Sequence, residues 1–116
     1  MRYLLSLCAA LCLFAQPSTD LVQALDSSRQ RIDSIDGQIV TLLNERARVV
    51  RDVGLIKKQY HAPASAPGRE EQVLRRAAGQ AQAPLTPSAV EAIYKSILHE
   101  MSSMEASEME KAPKSP

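Results

Sequence analysis

Arg46 and Lys57 are the two residues whose positions ask for a chemical explanation. From Leu21 onward, apolar or small residues recur at 21, 25, 28, 32, 35, 39 and 42, and again at 49, 53, 56 and 60. Steps of four and three make the seam of a helix that packs along its length on another helix. Arg46 falls on the missing step between Leu42 and Val49. An arginine on such a seam is costly unless a carboxylate or another anion meets it. Lys57 follows eleven residues later, and eleven steps of about 100° bring it back to within about 20° of Arg46 on the same face. On the helix alone two readings stay open. Both cations reach out to solvent or to nearby Asp and Glu side chains, or both line a buried pocket for a small molecule that carries two negative charges.

The helix that positions them is predicted from Leu21 to about Tyr60, with Asp20 as its N-cap and Gly37 and Gly54 as its weak points. At about 1.5 Å per residue, a helix of about 40 residues is roughly 60 Å long, longer than a domain of this size is wide, and it needs a second copy to cover it. Arg29 lies beside the seam, 17 residues before Arg46, which is about 25 Å along the axis. No small ligand bridges that gap on one straight helix. If Arg29 shares the ligand, it comes from a second, antiparallel copy, and the dimer holds two equivalent composite sites; otherwise it is a solvated surface residue.

Ala62-Pro63-Ala64-Ser65-Ala66-Pro67-Gly68 reads as a helix-breaking loop. A second helix is predicted from Arg69 to about Gln82, with Val73, Leu74, Ala77 and Ala81 on its apolar side, and Pro84 ends that stretch. Thr86-Pro87 has the order of an N-cap followed by Pro at the first helical position. The third helix carries Val90, Ile93, Tyr94, Ile97, Leu98, Met101 and Met104 at helical spacing. Residues 106–116 are polar, charged and Pro-containing and are expected to form a flexible tail. Nothing repeats internally, and no segment alternates as a strand would. The expected fold class is all-α: a three-helix protomer with one long N-terminal helix, in an intertwined antiparallel homodimer.

Composition narrows the function. With 116 residues the chain holds one small domain, and 45% hydrophobic with 23% charged residues excludes charge-driven disorder and a multi-span membrane protein. A net charge of +1 speaks against nucleic-acid binding, which needs a surplus of Lys and Arg, and 3% aromatics with no Trp speaks against base stacking. Residues 1–15, MRYLLSLCAALCLFA, are a single Arg2 followed by an apolar run too short to span a bilayer. They are expected to be a secretory signal peptide cleaved after Ala15, the alternative being an uncleaved anchor. That places the mature protein in the periplasm or outside the cell, with no membrane association after cleavage. Both cysteines (Cys8 and Cys12) and the only Phe lie in this segment, so the remaining domain, residues 20–105, has no disulfide and an aliphatic core. Such a core is marginal for a monomer. His61 and His99 lack Cys or His partners at ligand spacing, and there is no Gly-rich phosphate loop or Ser/His/Asp set. No metal or organic cofactor is implied.

Several stretches together carry a specific resemblance. They are Arg29-Gln-Arg-Ile32-Asp-Ser-Ile35-Asp36, Leu42-Leu43-Asn44-Glu45-Arg46, Val53-Gly54-Leu55-Ile56-Lys57, Arg69-Glu70, and Ile93-Tyr94-Lys95-Ser96-Ile97 through Glu105. From Leu25 to about Glu105 the chain resembles the all-helical (type II) chorismate mutases. The resemblance implies an intertwined dimer whose buried sites are each completed by the partner's N-terminal helix. The implied activity is the intramolecular Claisen rearrangement of chorismate to prephenate, by positioning and charge stabilisation and without a covalent intermediate.

On that resemblance, Arg29 from the partner and Arg46 bind the substrate carboxylates, and Lys57 reaches the ether oxygen and an adjacent carboxylate. Glu70 accepts from the ring hydroxyl and Arg69 orders that corner. Three positions depart from the usual pattern. Glu105 stands where the family usually has Gln, and a carboxylate beside the ether oxygen repels the charge that develops there. Glu105 is therefore expected to work with its proton on, turnover to fall as pH rises, and Glu105→Gln to flatten the profile. Met101 replaces a residue that usually bears a hydroxyl, and Ala66 replaces a loop Asp. Two alternatives remain at this stage: an isochorismate pyruvate-lyase on the same scaffold, and a non-catalytic exported dimer that keeps the fold and binds a partner.

Overall fold

The computed structural model describes residues 18–113; the expected signal peptide lies outside them. Those residues form three helices, α1 (Thr19–Gln59), α2 (Pro67–Ala78) and α3 (Pro87–Lys111), with no strand among the described residues. The all-α expectation holds. None of these helices is long and apolar enough to cross a membrane. The chain divides into two compact units, one ending at Gln38 and one starting at Ile39.

The first unit holds the N-terminal part of α1. Ser18 opens the helix: its hydroxyl accepts from the N–H of Leu21 at 3.3 Å, and its carbonyl accepts from the N–H of Val22 at 3.1 Å. Asp20, expected as the cap, stands within the first turn instead, where its carboxylate faces the positive end of the helix dipole. Ser18 sits three residues before a free N–H and is the better-placed acceptor. Leu21, Leu25, Ile32 and Ile35 are all exposed in this unit.

The second unit contains the rest of α1 with α2 and α3. Its core is small: Ala77 and Val90 are the buried apolar residues, and no large side chain is fully enclosed among the described residues. α2 packs on α3. α1 reaches α3 at Gly54, where a Cβ would lie 3.0 Å from Glu105 Cγ and 3.2 Å from Met109 Cγ. A Cβ there fits only if those two side chains give way by a few tenths of an ångström, so the approach favours a residue without a side chain. The partly covered positions of α1 are Leu43, Arg46, Ala47, Val50, Lys57 and Lys58, with Gly54 buried among them. The seam read from the sequence, Leu42, Val49, Val53 and Ile56, runs beside this face and is exposed, from 39% at Val53 to 64% at Leu42. Arg46 thus belongs to the face that packs within the unit and does not interrupt the open one.

Helix ends differ from expectation for local reasons. His61, at φ 54°, turns the chain through the left-handed region at the end of α1 while the N–H of Ala62 bonds the carbonyl of Lys57 at 2.8 Å. α2 begins at Pro67 and not at Arg69, because Pro at the first position is already set for a helix and loses no bond there. It stops at Ala78 and not near Gln82, with Gly79, the poorest helix former after Pro, at its end. Thr86 caps α3 as predicted, accepting from the N–H of Ala89 at 3.2 Å. α3 then continues past Glu105 to Lys111, so residues 106–111 are helix and not flexible tail. Lys58 explains this extension, since its ammonium donates to the carbonyls of Met109, at 2.7 Å, and Ala112 and satisfies the end of α3.

Candidate active site

Within the second unit, α1, α2, α3 and the α1–α2 loop enclose a pocket of about 340 Å³. Arg46, Lys57, Arg69, Glu70, Met101 and Glu105, six of the seven residues singled out from the sequence, line it. The seventh, Arg29, is not among its lining residues. It stands in the first unit with its side chain 68% exposed and a long contact to Asp26, 3.7 Å, of the kind that contributes little at a surface.

Lys57 is the best-fixed cation of the pocket. Its Nζ donates to Glu105 Oε1 at 2.6 Å and to the carbonyl of Ala64 at 2.7 Å. Both partners of the ion pair are shielded, with side chains 20% and 10% exposed, and Glu105 is the buried charged residue of the unit. The close approach at Gly54 makes the pair possible, because it brings the backbone of α3 at Glu105 against α1 one turn before Lys57.

Arg46 differs from Lys57 in having no partner for one of its donors. Its Nη1 is shielded from solvent and makes no hydrogen bond. A buried N–H left without an acceptor costs about 1–3 kcal/mol, and more on a charged group. A carboxylate entering the pocket would remove that cost and form a charge-assisted bond.

Glu70, half-buried, also lines the pocket and accepts from the Ser102 hydroxyl at 3.3 Å. Arg69 is exposed, and its Nη1 donates to Gln72 Oε1 at 2.6 Å. Met101 offers only an apolar surface to the pocket. The hydroxyl missing at Met101 is present one residue later, at Ser102, which also lines the pocket. Sequence reasoning passed over Ser102, although a position next to the substituted one was the place to look. The Ala64 carbonyl carries no sequence signal at all. Ala66 sits at the N-cap of α2 with no side-chain hydrogen bond, so the capping role an Asp would fill there is not taken up.

His61 and His99 are exposed. Among the described residues no group of three His, Cys, Asp or Glu is placed to hold a metal ion. The pocket offers cations, one shielded carboxylate and an apolar wall: equipment for binding an anion and stabilising charge.

Comparison with known proteins agrees with this geometry. Residues 28–106 match the profile of the chorismate mutase type II family. The chain is 36% identical over 55 residues to the bifunctional chorismate mutase/prephenate dehydratase of Aquifex aeolicus, covering 47% of this chain and 15% of that protein. It is 36% identical over 56 residues to the chorismate mutase of Methanocaldococcus jannaschii, covering 48% of this chain and 57% of that protein. In both cases the chain spans less than two thirds of the relative. The crystal structure of Helicobacter pylori chorismate mutase in complex with prephenate superposes with a TM-score of 0.72 at 21% identity, over 78% of this chain and 99% of that one. At that identity the superposition demonstrates a shared fold.

Proposed function

The chain belongs to the chorismate mutase type II family, and from that premise we propose that it converts chorismate to prephenate. The observation that carries this reading is the shielded, unpartnered Nη1 of Arg46 in the same pocket as Lys57. Two substrate carboxylates call for several cations, and Arg46 has a donor to give. As the ether C–O bond lengthens, negative charge gathers on its oxygen. Lys57, already held by Glu105 and Ala64, supplies positive charge there without having to reorganise. Glu70, which already accepts from Ser102, would accept from the ring hydroxyl. No proton has to be transferred and no covalent intermediate is needed; the pocket contributes conformer selection and electrostatics.

The same reading includes a second copy of the chain. Leu21, Leu25, Ile32 and Ile35 in the first unit, and Leu42, Val49 and Ile56 in the second, leave large apolar side chains exposed along α1, more than a lone small protein keeps open to water. An antiparallel partner would cover them and bring its Arg29 to the pocket as a further carboxylate ligand. Export completes the proposal and rests on the apolar run of residues 1–15; N-terminal sequencing of the protein from the periplasmic fraction should begin at Gln16.

Purified protein given chorismate and, separately, isochorismate tests the assignment. Prephenate from the first substrate is expected. Salicylate and pyruvate from the second, with the first left untouched, would assign the pocket to lyase chemistry, and no consumption of either would favour a binding role.

A further inference from the structure

A smaller cleft of about 190 Å³ shares Arg46, Arg69 and Val73 with the pocket and is completed by Arg76, Ala77, Gln80 and Tyr94. Three arginines line it, and no acidic side chain does. Neighbouring basic residues of α2 are engaged: Arg75 with Glu71 at 3.5 Å and Arg69 with Gln72 at 2.6 Å. Arg76 has no ion pair or side-chain hydrogen bond among the described residues, and Arg46 Nη1 has no acceptor. Like charges gathered in a small concavity repel one another and raise the local concentration of anions. The planar fork of an arginine matches a carboxylate. Apart from Gln80 the remaining wall, Val73, Ala77 and Tyr94, is mostly apolar and suits the flat face of a small ring.

We propose that this cleft is a second anion subsite, one that takes a small aryl carboxylate with its carboxylate on Arg76 and Arg46 and its ring against Tyr94 and Val73. Because Arg46 lines both cavities, an occupant withdraws a donor from the larger pocket and competes with a dianion bound there. Binding in the cleft does not depend on the proposed reaction; the inhibition that follows from it does.

Benzoate is the probe, titrated into the full chain and into Arg76→Gln and followed through backbone amide shifts. Saturable shifts at Gln80 and Tyr94 are expected, with affinity about tenfold weaker in Arg76→Gln, the scale of one charge-assisted pair. In chorismate assays benzoate should raise the apparent KM of the wild type and be about tenfold less potent on Arg76→Gln, whose uninhibited kinetics stay within about twofold of wild type. Equal affinity in the two proteins, shifts confined to Lys57, Met101 and Glu105, or shifts that never saturate would overturn the proposal. If neither protein consumes chorismate, the functional assignment fails while the amide titration still decides the cleft.

Discussion

Lys57 and Glu105 meet at 2.6 Å in a place that excludes most water, and the chemistry of the site turns on how that pair shares its charge. With substrate bound, the ammonium would serve three acceptors, the Ala64 carbonyl, the Glu105 carboxylate and the developing ether oxyanion. The Glu105 carboxylate competes for the cation and repels the oxyanion, whereas a glutamine amide there can donate a hydrogen bond. Glu105→Gln should therefore raise kcat above that of the wild type, with both proteins measured under the same conditions. An unchanged kcat in that variant would place Glu105 outside the charge balance of the reaction. Both cations could be read from one helical face, because their spacing is a property of α1 alone. Ser102 and the Ala64 carbonyl could not, since each acquires its place only when α3 and the loop fold against α1.

Helices position these groups through one contact point above all. At Gly54 the backbone of α1 lies against Glu105 and Met109 of α3. Alanine there gains about 1 kcal/mol of helix propensity but meets Glu105 Cγ at 3.0 Å, and overpacking of that kind costs about 1–3 kcal/mol. A net loss of about 1 kcal/mol is expected in denaturant titration for Gly54→Ala. The drop in kcat should exceed what that loss explains, because Glu105 is pushed off Lys57; a Gly54→Ala protein with wild-type kcat would remove this contact from the positioning of the site. Three helices and the Thr86-Pro87 start of α3 were legible because periodicity and capping are local signals. The reach of α3 to Lys111 was hidden because its stop depends on Lys58, far away in sequence, and Asp20 was a misleading cap because Ser18 competes for the same role.

For the whole molecule, the exposed apolar stripe of α1 and the exposed Arg29 would share one explanation in the proposed second copy. The periodicity made the stripe visible, but one chain cannot show what lies against it. Mixed subunits test the arrangement: Arg29→Ala and Arg46→Ala proteins, each inactive, should on refolding together recover about a quarter of wild-type activity. Half of the dimers formed at random are mixed, and each has one intact site of two. An Arg29→Ala protein with wild-type kinetics, or no recovery on mixing, would remove Arg29 from the partner's site. On the proposed reading, a partnerless guanidinium and a braced ammonium bind a dianion and ease its rearrangement. The rate of prephenate formation from chorismate, measured side by side for wild type and Arg46→Ala, tests it most directly. Saturable turnover in the wild type and a fall in kcat/KM of about 10²–10³, with helix content retained, is the expected result; no prephenate from the wild type, or an Arg46→Ala protein within about twofold of it, would contradict the claim.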